Sequence, residues 1–140
     1  MKALAWLCLA LLLLAGGSSR AGDADAVVVI GYAGLPPIDG ATVERLYTGR
    51  SIAVAGTPVT VVNAAAGSPL RRRFLAGWLR LDEEKYAAYW TVRRHIGKGA
   101  PPRELAGNAE TIEFVRSTPG AVGYIDAAEV KPGMNVIARP

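Results

Sequence analysis

Cysteine is all but missing from this chain: the one present among 140 residues, Cys8, stands inside an N-terminal apolar run. Residues 22–140 therefore hold none, which excludes disulfides, thiol nucleophiles, iron–sulfur clusters and c-type haem attachment there. Histidine is equally scarce, with His95 alone, so a zinc site built from His and Cys has no ligand set. Charge of one sign is also lacking. The formal net charge is +4, and Lys2 and Arg20 lie before residue 22, leaving about +2 on the rest. So small an excess gives no reason to expect nucleic acid as a partner. The longest apolar run, Ala3 to Ala15, is about 13 residues, short of the ~20 that span a bilayer.

That run has the form of a secretory signal instead. Met1-Lys2 supplies a positive start, the leucine-rich stretch follows, and Gly16 to Ser19 break the helix before Ser19-Arg20-Ala21. Residues 1–21 are read as a signal peptide, with Ala24-Asp25-Ala26 as an alternative cut, and residues 22–140 as one exported domain. Cys8 sits within the run rather than after a lipobox, so a lipoprotein is not expected. With no staples available, the domain must be held by its core.

Ala26 to Tyr32 is a short β-branched run of continuous apolarity, the pattern of a strand buried on both faces as in a parallel sheet. Asp39 is placed to cap a helix over Gly40–Tyr47, with Val43, Leu46 and Tyr47 inward and Gly49 as the stop. Thr57–Asn63 reads as a second strand. Ala64 to Gly67 is then a small-residue loop, and Ser68-Pro69 opens a helix with a strong N-cap and proline at its first position. Leu70, Phe74, Leu75, Trp78 and Leu79 continue it at amphipathic spacing. Asp82-Glu83-Glu84 start another helix carrying Tyr86, Tyr89, Trp90 and Arg93 on helical spacing. Gly97 to Pro102 is a loop, Asn108 caps a further helix, and Ala121–Ile125 and Met134–Ala138 are strands. The order is that of a wound α/β sheet.

Catalytic chemistry finds little to stand on. His95 lies beside two arginines at a helix end, Gly67-Ser68-Pro69 is not a nucleophile elbow, and Asp82-Glu83-Glu84 serve the helix dipole. Gly97-x-Gly99 runs into Pro101-Pro102, so it cannot open a pyrophosphate-cradling helix. Neither an enzyme nor a cofactor is expected. The candidate site is the Asn63–Ser68 loop with the helix start it leads into. Free amides and the positive end of the dipole make an anion pocket there, with Ser68 as a hydroxyl donor and Arg71 or Arg72 reaching back. Each helix-end interaction contributes about 0.3–1 kcal/mol when exposed. The competing reading has Ser68 capping its own helix and the arginines solvated.

Several segments resemble the periplasmic phosphate-binding proteins, the substrate receptors of phosphate ABC transporters. Leu46-Tyr47-Thr48-Gly49-Arg50 is similar to their "I-F-x-G-K" step. Val61 to Ser68, leading to Phe74, occupies the place of their "Ser-Gly-Thr…Phe" loop and helix. Tyr89-Trp90, Gly97 to Pro102, and above all Pro119-Gly120-Ala121-Val122-Gly123-Tyr124 match later landmarks. The resemblance implies a type II periplasmic-binding fold, a mixed, mostly parallel sheet flanked by helices, here reduced to one lobe resembling the second. It implies an inorganic phosphate or similar oxyanion held by Asn63, Ala66, Gly67, Ser68 and Arg71. Partners under it would be a membrane transporter, a sensor protein or a second copy of the chain. The family's Ser-Gly-Thr appears as Ala66-Gly67-Ser68, and its charged ligands upstream appear as Asn63 and alanines. One lobe offers a shelf rather than a cleft, so an affinity near millimolar, about −4 kcal/mol, is expected. The alternative expectation is an interaction or sensor-accessory module that has lost small-molecule binding.

Overall fold

The computed structural model describes residues 26–140, so the leader and its cleavage site lie outside the described residues. In chain order the elements are β1 (Val27–Gly31), α1 (Gly40–Tyr47), β2 (Ala53–Val54), β3 (Thr57–Pro58), β4 (Thr60–Ala64) and α2 (Pro69–Phe74). They continue as α3 (Glu83–His95), β5 (Arg103–Leu105), α4 (Asn108–Ser117), β6 (Ala121–Asp126) and β7 (Val136–Ala138). Five strands form the main sheet in the order β5-β4-β6-β1-β7. β4 runs parallel to β5 and β6, whereas β1 is antiparallel to β6 and β7. Four of the five strands thus point one way and β1 alone is reversed.

β1 corrects one detail of the sequence reading. It is buried throughout, as its apolar run implies, yet neither of its neighbours is parallel to it. Continuous apolarity reports that both faces are covered, not the direction of the neighbouring strands. Val27 and Val29 face a core closed by Val43, Leu46, Phe74, Leu75, Tyr86 and Trp90 from α1, α2 and α3. Val28 and Ile30 face a smaller core with Val115 and Ile125, covered by α4. The alternation of one strand between two helical layers fixes the three-layer architecture.

Local signals set the helix ends. Asp39, Ser68 and Asp82 each accept a hydrogen bond from the amide three residues on, capping α1, α2 and α3. α2 passes into one π-helical stretch, Leu75–Leu79, which ends at Arg80 in the left-handed region. This wide turn keeps Leu75 and Leu79 inward and lets Trp78 Nε1 donate to Val27 O at 3.0 Å. Two expectations shift. Thr57–Asn63 is split: β2 and β3 form a separate ribbon around Ala55-Gly56, both at positive φ, and only β4 joins the sheet. Asn108 does not cap α4, whose N-cap is Gly107. Its amide pairs with Asp126 instead, donating at 2.8 Å and accepting that residue's N–H at 3.0 Å.

Gly49 is required twice over. Its φ is +68°, and a Cβ there would lie 2.7 Å from Trp90 Cη2. Gly49→Ala should lower stability by about 1–3 kcal/mol, read as a lower urea midpoint at unchanged slope.

Candidate functional site

β4 ends at Ala64, and Ala65 to Gly67 turn the chain into α2, with Gly67 at φ +79° and nothing within reach of a Cβ. Of the five predicted residues, Ala66 and Gly67 are exposed and Ser68 is half-buried. Asn63 and Arg71 are buried. The structure brings these two together in a buried polar network beneath the turn.

Asn63 joins two tyrosines. Its Nδ2 donates to Tyr86 Oη at 3.1 Å, and its Oδ1 accepts from the Tyr124 hydroxyl at 2.7 Å. Tyr124 Oη also accepts from Ala64 N–H at 2.9 Å, beyond the stretch where β4 and β6 pair, so a side chain takes over from the ladder. The Tyr86 hydroxyl donates to Tyr47 O at 2.8 Å, and the Tyr47 hydroxyl to Val62 O at 2.9 Å. Every hydroxyl of the three acts as a donor. Burial pushes all three phenols up from their ordinary value, and Tyr124 and then Tyr86 add to the rise at Tyr47.

A phenol kept neutral by the fold holds its proton where the unfolded chain releases it, above about pH 10. Stability is therefore intact below that pH and falls as pH rises above it. Phenolate absorbance from Tyr47, Tyr86 and Tyr124 should appear together with loss of near-ultraviolet circular dichroism. Reversible ionisation of all three with the fold intact would contradict the network.

Arg71 is the centre of the site, at 6% exposure. Its Nε and Nη2 donate to the two carboxylate oxygens of Glu83, at 2.8 and 2.6 Å. Its Nη1 donates to Glu104 Oε1 at 2.6 Å and to Ala64 O at 3.2 Å. The guanidinium carbon lies 5.4 Å from the centroid of the Tyr86 ring. One cation is thus met by two carboxylates, one of them bidentate, with a carbonyl and an aromatic face closing the rest. The charge that the sequence reading assigns to an oxyanion is occupied from within the chain.

Two further groups of the turn are also used. Ser68 Oγ accepts from Arg71 N–H at 3.2 Å, as the competing sequence reading has it, and Arg72 Nη1 donates to Gly67 O at 2.9 Å. A hollow of about 310 Å3 remains outside, where Ala66, Arg71, Glu83, Arg94 and Glu104 meet. Its two acids and two bases cancel, so it has no net pull on an anion. Sequence reasoning misses Glu83 and Glu104. The first is disguised as a favourable helix-start charge, and the second lies in a stretch with no motif.

Beside the hollow, Trp90 Nε1 and Arg93 Nε are buried without an acceptor. The Arg93 guanidinium lies 5.6 Å from the ring centroids of both Tyr89 and Trp90, so aromatic faces stand in for the missing bond at Arg93. His95 is exposed at the end of α3. Among the described residues no group of three or more His, Cys, Asp or Glu is placed to hold a metal ion. No helix among them is long and apolar enough to cross a membrane.

No protein-family model and no curated protein matches the chain. Solved structures do. One, with bound phosphate, from Clostridium perfringens and assigned as a phosphate ABC transporter substrate-binding protein, aligns at TM-score 0.55 and 16% identity over 81% of this chain. An ABC-type phosphate transport receptor from Vibrio cholerae aligns at TM-score 0.55 and 15% identity, again over 81%. This chain spans only 44% and 45% of those two proteins. At such identities the likeness is one of fold, and the described chain has the α/β fold of a single lobe of a phosphate ABC transporter substrate-binding protein.

Proposed function

We propose that this chain is an exported, non-enzymatic, solute-binding-protein-like lobe whose anion position is filled by its own carboxylates, and that it acts as a protein-interaction module. The observation that carries this reading is Arg71, buried and committed to Glu83 and Glu104. A phosphate at the Ala66–Ser68 turn that engaged Arg71 would have to displace a carboxylate already bound bidentate. Export rests on the leader read in residues 1–21.

Support for a partner surface comes from exposed apolar side chains. Among the described residues the large exposed apolar side chains are Ile52, Val92 and Ile96, at 77%, 60% and 60% exposure. Val92 lies on α3 and Ile96, one turn on, is its C-cap, while Ile52 borders a separate hollow with Trp90 and Pro102. A photo-crosslinking residue at position 92 or 96, in the exported protein within its source cell, should capture a discrete partner. The same residue at exposed position 139 should not, and equal labelling from both sites would defeat the reading.

A second reading keeps phosphate or a related oxyanion at Asn63, Ala66, Gly67, Ser68 and Arg71. What favours it is the open, exposed Gly67 turn and the phosphate bound to a protein of this fold. The two readings separate in Glu104→Gln. If the carboxylates block the site, this change frees part of Arg71 and phosphate binding rises by roughly two- to fivefold, the scale of a partly exposed ion pair. If wild type already binds and Glu104→Gln leaves affinity unchanged, the second reading is the better one.

A further inference from the structure

The opposite face of the sheet carries a separate cavity. α4 is ten residues long and is pinned close to β6, where a Cβ on Gly123 would lie 2.5 Å from Thr111 Cγ2. It covers Val28 and Ile125, and past Val115 a hollow borders Ile30 and Gly31 at the end of β1. Between that end and the 131–134 turn lies a cavity of about 500 Å3, floored by Ile30, Ile112, Val115 and Met134. That size is within the ~300–1,000 Å3 of small-molecule pockets.

Its rim is basic. Lys131 and Arg116 border the cavity, with Glu113 as the acid beside them. Glu113 pairs with Arg116 at 2.8 Å, and both side chains are largely exposed. Lys131 forms no ion pair among the described residues, which leaves one net positive charge at the mouth. The backbone of Lys131 is fixed by a turn: it opens Pro132-Gly133, and Met134 N–H donates to Lys131 O at 3.2 Å. Gly133 supplies the φ of +89° the turn needs.

We propose that this cavity binds a small amphipathic monoanion, a carboxylate with an unbranched apolar tail, the tail on Ile30, Ile112, Val115 and Met134 and the carboxylate at Lys131 and Arg116. An apolar floor with one charged group at the rim selects for that combination and against a neutral or cationic amphiphile. The site is independent of Arg71 and of the proposed function above, since it lies across the sheet.

The test uses residues 22–140 with methyl and amide NMR, titrated with octanoate, octanol and octylammonium below their aggregation concentrations. Octanoate should give saturable shifts at Ile112, Val115 and Met134, with octanol weaker and octylammonium weakest. Lys131→Gln with Arg116→Gln, both exposed and outside the core, should weaken octanoate by roughly two- to fivefold and leave octanol unchanged. Equal response to all three amphiphiles, an unaltered octanoate affinity in the double variant, or no shifts at these methyls would each overturn the proposal.

Discussion

Phe74→Ala is expected to cost about 3–5 kcal/mol of stability, the largest single loss among these changes. The ring is fully buried, stacked on Tyr124 at 3.8 Å between centroids and edge-on to Tyr47 at 4.6 Å. Removing it opens a cavity beneath the two phenols that hold Asn63, Ala64 and Val62, so the damage reaches the site as well as the core. Small domains have only about 5–15 kcal/mol in total, and the variant should unfold at a much lower urea concentration. Phe74→Leu keeps most of the volume and should lose less than half as much. A loss below about 1.5 kcal/mol for the alanine variant would mean that the surroundings collapse into the gap and that the core does not depend on the Phe74 ring.

Arg71→Ala is expected to cost about 2–3 kcal/mol. Breaking a fully buried ion pair costs about 3–5 kcal/mol, and the figure is reduced here because Glu83 and Glu104 remain 32% and 48% exposed. The loss is mainly the cost of leaving two carboxylates together with no cation, and Ala64 O without its donor. Replacing the whole cluster, as Arg71→Met with Glu83→Gln and Glu104→Gln, should therefore recover most of it. Equilibrium urea unfolding of the two variants decides: a triple variant no more stable than Arg71→Ala would show that the packing of the side chain, not its charge, is what matters.

What was legible in the sequence was whatever depends on neighbours in the chain. Asp39, Ser68-Pro69 and Asp82 announce their helices because a cap needs only the next three residues. The Pro119–Tyr124 stretch and the loop before Phe74 give the fold resemblance, which the solved structures bear out. What was not legible depends on residues far apart. Nothing local says that Arg71 would meet Glu104, 33 positions on, rather than solvent or an anion. Asn108 reads as a cap because its type suits one, and only its closeness to Asp126 gives it another partner. The reversed direction of β1 is likewise a property of the sheet and leaves no mark on Val27–Gly31 itself.

The central claim is that the guanidinium of Arg71 is already satisfied inside the chain. The most direct measurement follows the Arg71 side-chain Nε–H and the Gly67 and Ser68 amides by NMR while phosphate is added at fixed ionic strength. The account predicts a slowly exchanging Nε–H signal, and no saturable movement of any of the three up to about 10 mM, ten times the millimolar affinity the sequence suggests. Saturable shifts centred on Arg71 at or below about 1 mM, lost in Ser68→Ala, would contradict it and restore the lobe as an anion receptor.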